Sequence, residues 1–328
     1  MNPNFKKICF DLLEGLSQRQ KEIIIRRFGL QSGKKETLEA IGKSFGVTRE
    51  RVRQIESEGI SKIKKKLGVL DGLYKNFQKE LEKSGNLRKE DVFFSLLGEK
   101  EDSPYIFFLL FLNEKFQRQA ETRETYSLWT ISLESLILAK KIIEAFSKKL
   151  KEIGKPLELE KLVSFFDSFS KIKKEYLNSY LEISKIIQKT PDNLYGLKEW
   201  PEVNPRNIRD KAYLIFKKEQ QPLHFSQVAK LIGPEALTQT VHNELIKDPR
   251  FVLVGRGLYA LKEWGYEEGF VKDIILKILK KANRPLTKEE IIDEVLKQRV
   301  VKKSTILLNL SNKKYFLKLS EGKYTFQK

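Results

Sequence analysis

The stretch TLEAIGKSFGVTRERVRQIE, residues 37–56, contains two helix starts separated by one tight turn. Thr37 opens the first helix, Gly46 ends it, and Thr48 is placed to cap the second. After Thr48, apolar or small residues recur every three or four positions, which predicts one buried stripe along an α-helix. These residues are Val52, Ile55, Gly59, Ile63 and Leu67. Two helices joined in this way are typical of a helix-turn-helix, in which the second helix reads DNA.

The face of the second helix opposite this stripe mixes acidic and basic side chains. At about 100° per residue it is centred on Glu50, Arg53, Gln54 and Ser57, with Arg49 at its edge. A helix that only held phosphates would gain nothing from Glu50, because its carboxylate repels the DNA backbone. A helix that reads bases can use an acid to accept from cytosine, arginine to read guanine and glutamine to read adenine. The mixture favours base reading, and an ordinary charged helical hairpin is the alternative.

Together with LSQRQKEIIIRRFGL at 16–30, this stretch resembles region 4 of primary-type sigma-70 family sigma factors, over about residues 14–67. The resemblance implies two partners, the minus-35 promoter element of double-stranded DNA and the flap of the RNA polymerase β subunit. It implies base contacts by Arg49, Glu50 and Gln54. It also implies phosphate contacts by Arg27, Thr37, Arg51 and Arg53. Helical spacing turns Arg53 outward toward the bases, whereas the resemblance assigns it to the backbone, and both assignments stay open.

The sequence departs from this family pattern in two places. After Glu56, Gly59 stands where the family has a more helix-favouring residue, at a cost of about 1 kcal/mol in helix propensity. The sequence therefore does not fix the residue at which the recognition helix ends. About sixteen residues precede the match, which leaves no room for the sigma region that melts promoter DNA. We therefore expect that the chain is not a complete sigma factor.

Composition favours a polyanionic partner. The chain has 63 Lys plus Arg against 44 Asp plus Glu, a formal charge of +19, which suits nucleic acid or, less often, an anionic membrane surface. A lysine-rich composition inherited from an AT-biased genome is the alternative explanation. The most apolar run, YIFFLLFL at 105–112, is too short to span a bilayer, and the first residues indicate an amphipathic helix rather than a secretion signal. We expect a cytoplasmic, nucleoid-associated protein without a membrane partner.

An internal repeat organises the remaining 260 or so residues. Pro-Leu helix starts occur at residues 156, 222 and 285, and tyrosine-containing closing segments occur at 195, 259 and 324. Both series advance by 63 to 66 residues, and a fainter copy, NLRKEDVFFSLLG at 86 with YSLW at 126, precedes them. Each copy has a long helix, two further helices and a pair of strands, which predicts a winged helix. Units of this size bury their cores mainly within themselves, which favours beads in a row over a solenoid.

The third copy, PLHFSQVAKLI with VHNELIKDPRFVLVGRGLYALKEWG, is similar to the HARE-HTH winged helix that is also found in the delta subunit of bacterial RNA polymerase. The predicted fold class is mainly α with small β-hairpin wings, a sigma region 4-like helix-turn-helix followed by tandem winged helices. The predicted domains are the helix-turn-helix at 1–68, a helical linker at 69–84, a degenerate winged-helix-like unit at 85–133, a second such unit at 134–203, a HARE-HTH winged helix at 204–267 and another at 268–328.

Further candidate DNA contacts lie in the wings and helices of the last two units. They are Arg256, Lys302, Lys303, Lys313 and Lys314, for which a merely solvated face is the alternative. Trp129, Trp200, Trp264, His224 and His242 are interpreted as packing residues. One cysteine and two histidines argue against a structural zinc site. The sequence contains no phosphate-cradling glycine loop, nucleophile elbow or metal-ligand motif, so we expect no enzyme activity, cofactor or small-molecule substrate.

Two functional hypotheses follow. In the first, the protein is a sequence-specific transcription regulator that acts at promoters, with RNA polymerase as its partner. In the second, it is an architectural or scaffolding protein whose winged helices contact other proteins, with the sigma-like domain as its DNA anchor. A positive third helix in each winged unit would favour DNA, and an apolar one would favour protein.

Overall fold

The computed structural model describes residues 3–327, so residues 1, 2 and 328 of the outermost predicted domains lie outside it. The chain is mainly helical with small antiparallel sheets, and it divides into two compact units, 1–199 and 200–328. Within the described range, no helix is both long enough and apolar enough to cross a membrane.

Four helices open the first unit, and each begins at a side-chain cap. Ser17 and Gln20 form a reciprocal capping box, while Thr37 and Thr48 each accept a hydrogen bond from the third helical amide of their helix. Gly29 and Gly46 end two of the helices in the left-handed conformation, at φ 68° and 65°. The helices are α1 Phe5–Leu13, α2 Gln18–Phe28, α3 Leu38–Phe45 and α4 Arg49–Lys64.

The rest of the chain repeats one order of elements four times: a helix, a short extended segment, two helices and a β-hairpin. The first repeat comprises α5 Asp71–Lys83, β1 Leu87–Lys89, α6 Glu90–Leu97, α7 Ser103–Leu112, β2 Gln117–Gln119 and β3 Leu128–Thr130. The second comprises α8 Leu133–Ile153, α9 Leu159–Val163, α10 Lys174–Glu182, β4 Ile187–Lys189 and β5 Tyr195–Leu197. The third comprises α11 Ile208–Glu219, β6 Leu223–His224, α12 Phe225–Ile232, α13 Thr238–Lys247, β7 Phe251–Gly255 and β8 Leu258–Leu261. The fourth comprises α14 Val271–Ala282, α15 Lys288–Gln298, α16 Lys303–Leu310, β9 Phe316–Lys318 and β10 Tyr324–Phe326.

The repeated Pro-Leu motif provides the short extended segment. In the third repeat Leu223 pairs antiparallel with Tyr259, and the sheet order is β6-β8-β7. In the second and fourth repeats the same pairing is a single bridge, Leu157 with Tyr195 and Leu286 with Tyr324. Each of these leucines is buried beneath its hairpin. The motif therefore recurs because each repeat needs an apolar side chain at the point where the first segment meets the last strand.

The segment 69–84, expected as a linker, contributes instead to a hydrophobic core. Tyr74, Phe77 and Leu81 of α5 are buried together with residues of α1, α2 and α7. The ring of Phe28 in α2 lies 4.8 Å from that of Phe108 in α7, centroid to centroid. Cys9, without exposed surface, lies in the same core, and burial raises the pKa of its thiol. The helix-turn-helix and the first repeat therefore share one core, and residue 68 is not a folding boundary.

Neighbouring repeats within each unit are joined by hydrogen bonds, which the expectation of beads in a row did not include. In the first unit the Tyr126 amide donates to the Ile183 carbonyl at 2.9 Å, and the Tyr180 hydroxyl donates to the Gly85 carbonyl at 3.0 Å. In the second unit the Val300 amide donates to the Val254 carbonyl at 2.9 Å. The third and fourth repeats keep separate apolar cores.

The seam in the second unit centres on Arg299, which is 5% exposed. Its guanidinium donates to the carbonyls of Leu253, Glu267 and Gly269. A Cβ at Gly255 would lie 2.7 Å from the Val300 carbonyl, so a glycine permits this close approach of the two repeats. One buried arginine thus satisfies three backbone acceptors where the third repeat meets the fourth.

Candidate nucleic-acid interface

The turn between α3 and α4 is fixed by a small apolar core and by the close approach that Gly42 permits. Ile23, Ile41, Val52 and Ile55 are buried together beneath the turn. A Cβ at Gly42 would lie 2.7 Å from the Val47 carbonyl oxygen, so this position requires glycine for α4 to approach α3. These contacts set the angle at which α4 leaves the domain.

The structure places the predicted buried stripe and reading face of α4 on opposite sides. Val52, Ile55, Gly59 and Ile63 are buried, and Leu67 is half-buried just beyond the helix. Five of the predicted contact residues are exposed along the first two turns of α4: Arg49, Glu50, Arg51, Arg53 and Gln54. The sequence therefore predicted correctly which side chains α4 presents to solvent.

Gly59 does not end the recognition helix, because α4 continues to Lys64. The residue is buried against α2, and a Cβ there would lie 2.9 Å from Cδ1 of Ile24. The lower helix propensity is offset by close packing of α4 on α2, which the sequence pattern alone did not reveal.

Glu50 and Arg53 form a two-pronged ion pair on the exposed face of α4. Nε of Arg53 donates to Oε2 of Glu50 at 2.9 Å, and a terminal nitrogen donates to Oε1 at 2.7 Å. Hydrogen bonding to Arg53 lowers the pKa of the Glu50 carboxyl, so the acid is ionised at neutral pH. In the absence of DNA, Arg53 therefore compensates the charge that would repel the phosphate backbone.

The other two reading residues differ in how they are held. Gln54 accepts a hydrogen bond from Arg51 at 3.2 Å, so a predicted reader and a predicted phosphate ligand are paired. The Arg49 side chain makes no hydrogen bond or ion pair with any described residue. Arg49 is thus the reader that can engage DNA without first giving up an intramolecular partner.

Arg27 and Thr37 lie at the edge of the domain, where α2 approaches the start of α3. Arg27 donates to the Glu36 carbonyl at 3.0 Å and lies 3.5 Å from the Glu56 carboxylate. Burial raises the pKa of Glu56, while the charge of Arg27 opposes that rise. The Thr37 oxygen accepts from the Ala40 amide at 3.1 Å, which leaves its hydroxyl hydrogen available to a phosphate.

Two further cations near this edge were missed from the sequence. Lys35 Nζ lies 2.9 Å from the centroid of the Phe107 ring, and the Arg118 guanidinium carbon lies 5.4 Å from the same centroid. Burial lowers the pKa of Lys35 to about 8, with further lowering by the charges of Arg118 and Arg27 and an opposing effect of Glu90. Arg118 belongs to the first repeat, far from Lys35 in sequence. No local motif therefore indicated that both cations lie against the Phe107 ring.

The remaining candidates lie in the second compact unit. Arg256 is exposed in the turn between β7 and β8, next to Gly257 at φ 69°. Lys302 occupies the N-cap position of α16 without a capping hydrogen bond, Lys303 is the first residue of the helix, and Lys313 and Lys314 follow its end. His224 caps α12 through Nδ1, and Trp264 packs 6.3 Å from the Phe216 ring, centroid to centroid.

Comparisons with known proteins agree with the geometry of the first helices. The family model described as "Sigma-70, region 4" matches residues 12–65. Over 54 residues the chain is 48% identical to RNA polymerase sigma factor SigA of a Bacillus species and 46% identical to that of Listeria monocytogenes. Each match covers 16% of this chain and 14% of the relative. The chain therefore carries a sigma-70 region 4 domain, a DNA-binding domain of the sigma factor type, at its N-terminal end.

Proposed function

We propose that this protein is a sequence-specific DNA-binding transcription regulator that acts at promoters through its sigma region 4 domain. The observation that carries the proposal is the exposed face of α4, where Arg49, Glu50 and Gln54 lie together. These three residue types supply donors and acceptors for base edges in the major groove. The DNA partner is a minus-35-like element in duplex DNA, and the protein partner is RNA polymerase, through its β flap.

We further propose that the four repeats are winged helices, with the third and fourth of the HARE-HTH type. The recurring order of helix, extended segment, two helices and hairpin supports this proposal, as does the strand order shared by the first and third repeats. In this interpretation α7, α10, α13 and α16 are the third helices of their units. The matched domain covers 16% of the chain, and the four repeats make up most of the remainder.

A scaffolding role is the second candidate, and the third repeat favours it. Around α13, Leu237 is 71% exposed and Ile246 is 62% exposed, while Leu253 on β7 is 48% exposed. A contiguous patch of such side chains is typical of a protein-contact surface. In this alternative the sigma region 4 domain anchors the chain to DNA while the repeats hold other proteins.

Base reading and phosphate holding are separable by mutation. Arg49→Ala is expected to cost about 1 to 3 kcal/mol on the preferred site and little on unrelated duplexes. Arg51→Ala is expected to weaken binding to all sequences alike and to make the salt dependence shallower, because one phosphate is no longer neutralised. Fluorescence anisotropy with the preferred and unrelated duplexes at several salt concentrations measures both effects.

Glu50→Ala provides the sharpest control for this assignment. We expect it to relax sequence preference while leaving non-specific affinity equal or higher, since it removes a charge that repels phosphate and frees Arg53. A uniform loss of binding on every sequence would mean that Glu50 only supports the helix. The assignment of α4 as a base-reading helix would then be wrong.

The role in transcription is tested by run-off assays with core RNA polymerase, with and without a complete sigma factor. Melting a promoter requires capture of unstacked bases, generally by aromatic side chains. Trp129, Phe108 and Phe216 are buried in repeat cores, so we expect no initiation with this protein alone. We expect altered initiation when a sigma factor is present. Initiation without a sigma factor would contradict the first expectation, and no effect in either reaction would favour the scaffolding role.

A further inference from the structure

The third and fourth repeats share a fold but differ in how their positive charges are balanced. In the third repeat most basic side chains are paired with an acid. Lys211 lies 2.9 Å from Glu235, Lys217 lies 2.6 Å from Glu263 and Lys262 lies 2.9 Å from Glu268. Arg250 is held by both Asp248 and Asp210. The surface of this repeat is thus largely neutralised by its own carboxylates.

The fourth repeat has the opposite arrangement around α16 and its hairpin. Between Glu294 and Glu321 the sequence contains no acidic residue. Six exposed lysines occur in this interval, and Lys297 is paired with Glu294. In the part of the chain that the structure describes, the other five form no ion pair: Lys302, Lys303, Lys313, Lys314 and Lys318. The matching segment of the third repeat, 237–261, has three basic and two acidic residues.

The position of two of these lysines costs stability rather than adding to it. Lys302 and Lys303 stand at the cap and first residue of α16, whose first turn contains no acid. Cations there oppose the helix dipole by a few tenths of a kcal/mol or more each. The neighbouring helices α14 and α15 follow the usual rule, with Asp273 and with Glu289 and Glu290 in their first turns. Among the helices of the fourth repeat, α16 is thus the one whose first turn has a lysine without an acid.

We propose that these five lysines, which flank α16 and continue into β9, bind the phosphate backbone of duplex DNA. They give the chain a second DNA-contacting surface, in a compact unit other than the one that contains the sigma region 4 domain. The five lysines have no acid of their own repeat to neutralise them, and a polyanion supplies the missing charge. This site is independent of base reading by α4, but its consequence for promoters rests on the proposed function.

The dimensions of α16 fit this partner. The helix has eight residues and is about 12 Å long, and an α-helix with side chains, about 10 to 12 Å in diameter, fits a major groove about 12 Å wide. Lysines at both ends of such a helix are close to the phosphates that border the groove.

Two such surfaces in separate compact units give the chain the capacity to bind two duplex segments. One segment is selected by sequence through α4, and the other is held without selection through the fourth repeat. The protein is thereby expected to bridge a promoter to a second stretch of DNA.

The test uses the full-length chain, a bead-bound duplex with the site preferred by α4 and a free labelled duplex of unrelated sequence. The five-lysine variant, with Lys302, Lys303, Lys313, Lys314 and Lys318 each changed to Gln, should still bind the bead but capture about tenfold less free duplex. Its salt slope on the free duplex should be shallower by up to about 4, at roughly 0.9 for each phosphate that is no longer neutralised. The matched control changes Lys211, Lys217, Lys247, Lys262 and Lys277 to Gln, five ion-paired lysines of the same unit, and should behave like the parent chain.

A second variant separates this proposal from the proposed function. The double change Arg49→Ala with Arg51→Ala should lose sequence-selective binding to the bead yet keep binding of the free duplex. If the five-lysine variant and its control bind the free duplex with equal affinity and salt slope, the proposal is overturned. It is also overturned if the five-lysine variant keeps all duplex binding but loses binding to core RNA polymerase, since these lysines would then form a protein-binding surface.

Discussion

Phe28→Ala is expected to destabilise the helix-turn-helix and the first repeat together, by about 3 to 5 kcal/mol. Phe28 is 5% exposed, and its ring contacts those of Phe108 and Phe111 at 4.8 and 5.0 Å between centroids. Truncation to alanine leaves a cavity at the place where α2 meets α7. A loss of this size is comparable to the whole stability of many domains, so sequence-specific DNA binding should fall with it.

Thermal denaturation of the full chain, followed together with DNA binding, measures this effect. Phe270→Ala is the control, because that ring is 76% exposed and its removal should change stability by less than about 0.5 kcal/mol. The shared core would be disproved if the variant kept normal DNA binding at a temperature where α7 had already melted. The fragment 1–68 should likewise fail to fold stably, since it lacks Phe77, Phe108 and the other partners of its buried residues.

Arg299→Met is expected to destabilise the second unit by about 3 kcal/mol, because three backbone carbonyls lose the charged donor that joins the two repeats. Methionine fills much of the same volume, so most of the loss reflects missing hydrogen bonds. Chemical denaturation of the full chain should show an earlier transition for the second unit. Base reading by α4 should be unchanged, since it belongs to the first unit.

Lys297→Met provides the comparison, because that side chain is 68% exposed and paired only with Glu294. Such surface pairs contribute about 0 to 1 kcal/mol. Equal effects of the two substitutions would show that Arg299 does not hold the repeats together.

The helix-turn-helix was predictable from the sequence because its determinants are local. The caps Thr37 and Thr48, the turn glycine and the apolar spacing lie within twenty residues, and each acts on its own helix. The internal period likewise exposed the four repeats, since a buried leucine beneath a hairpin is required once in each. The exposed face of α4 followed from helical geometry alone.

Contacts between elements were not predictable in the same way. Tyr74, Phe77 and Leu81 have the spacing of any amphipathic helix, so the pattern could not distinguish a linker from a core element. Arg299 looks in sequence like one more cation in a basic chain, and only the approach of two repeats buries it. The proximity of Lys35 to Arg118 depends on packing across the shared core and has no signature in either segment.

The chain's one cysteine, Cys9, allows the opening of the shared core to be measured by its chemical modification. Cys9 has no exposed surface, its thiol contacts the Tyr105 carbonyl at 3.7 Å, and burial keeps it protonated. A thiol reagent can therefore label the native protein only when α1 and α7 separate, and the labelling rate follows how often they do so. Because the chain has no other cysteine, the labelling rate of the unmodified protein reports this separation alone. Labelling measured with and without DNA shows whether binding at α4 changes how often α1 and α7 separate.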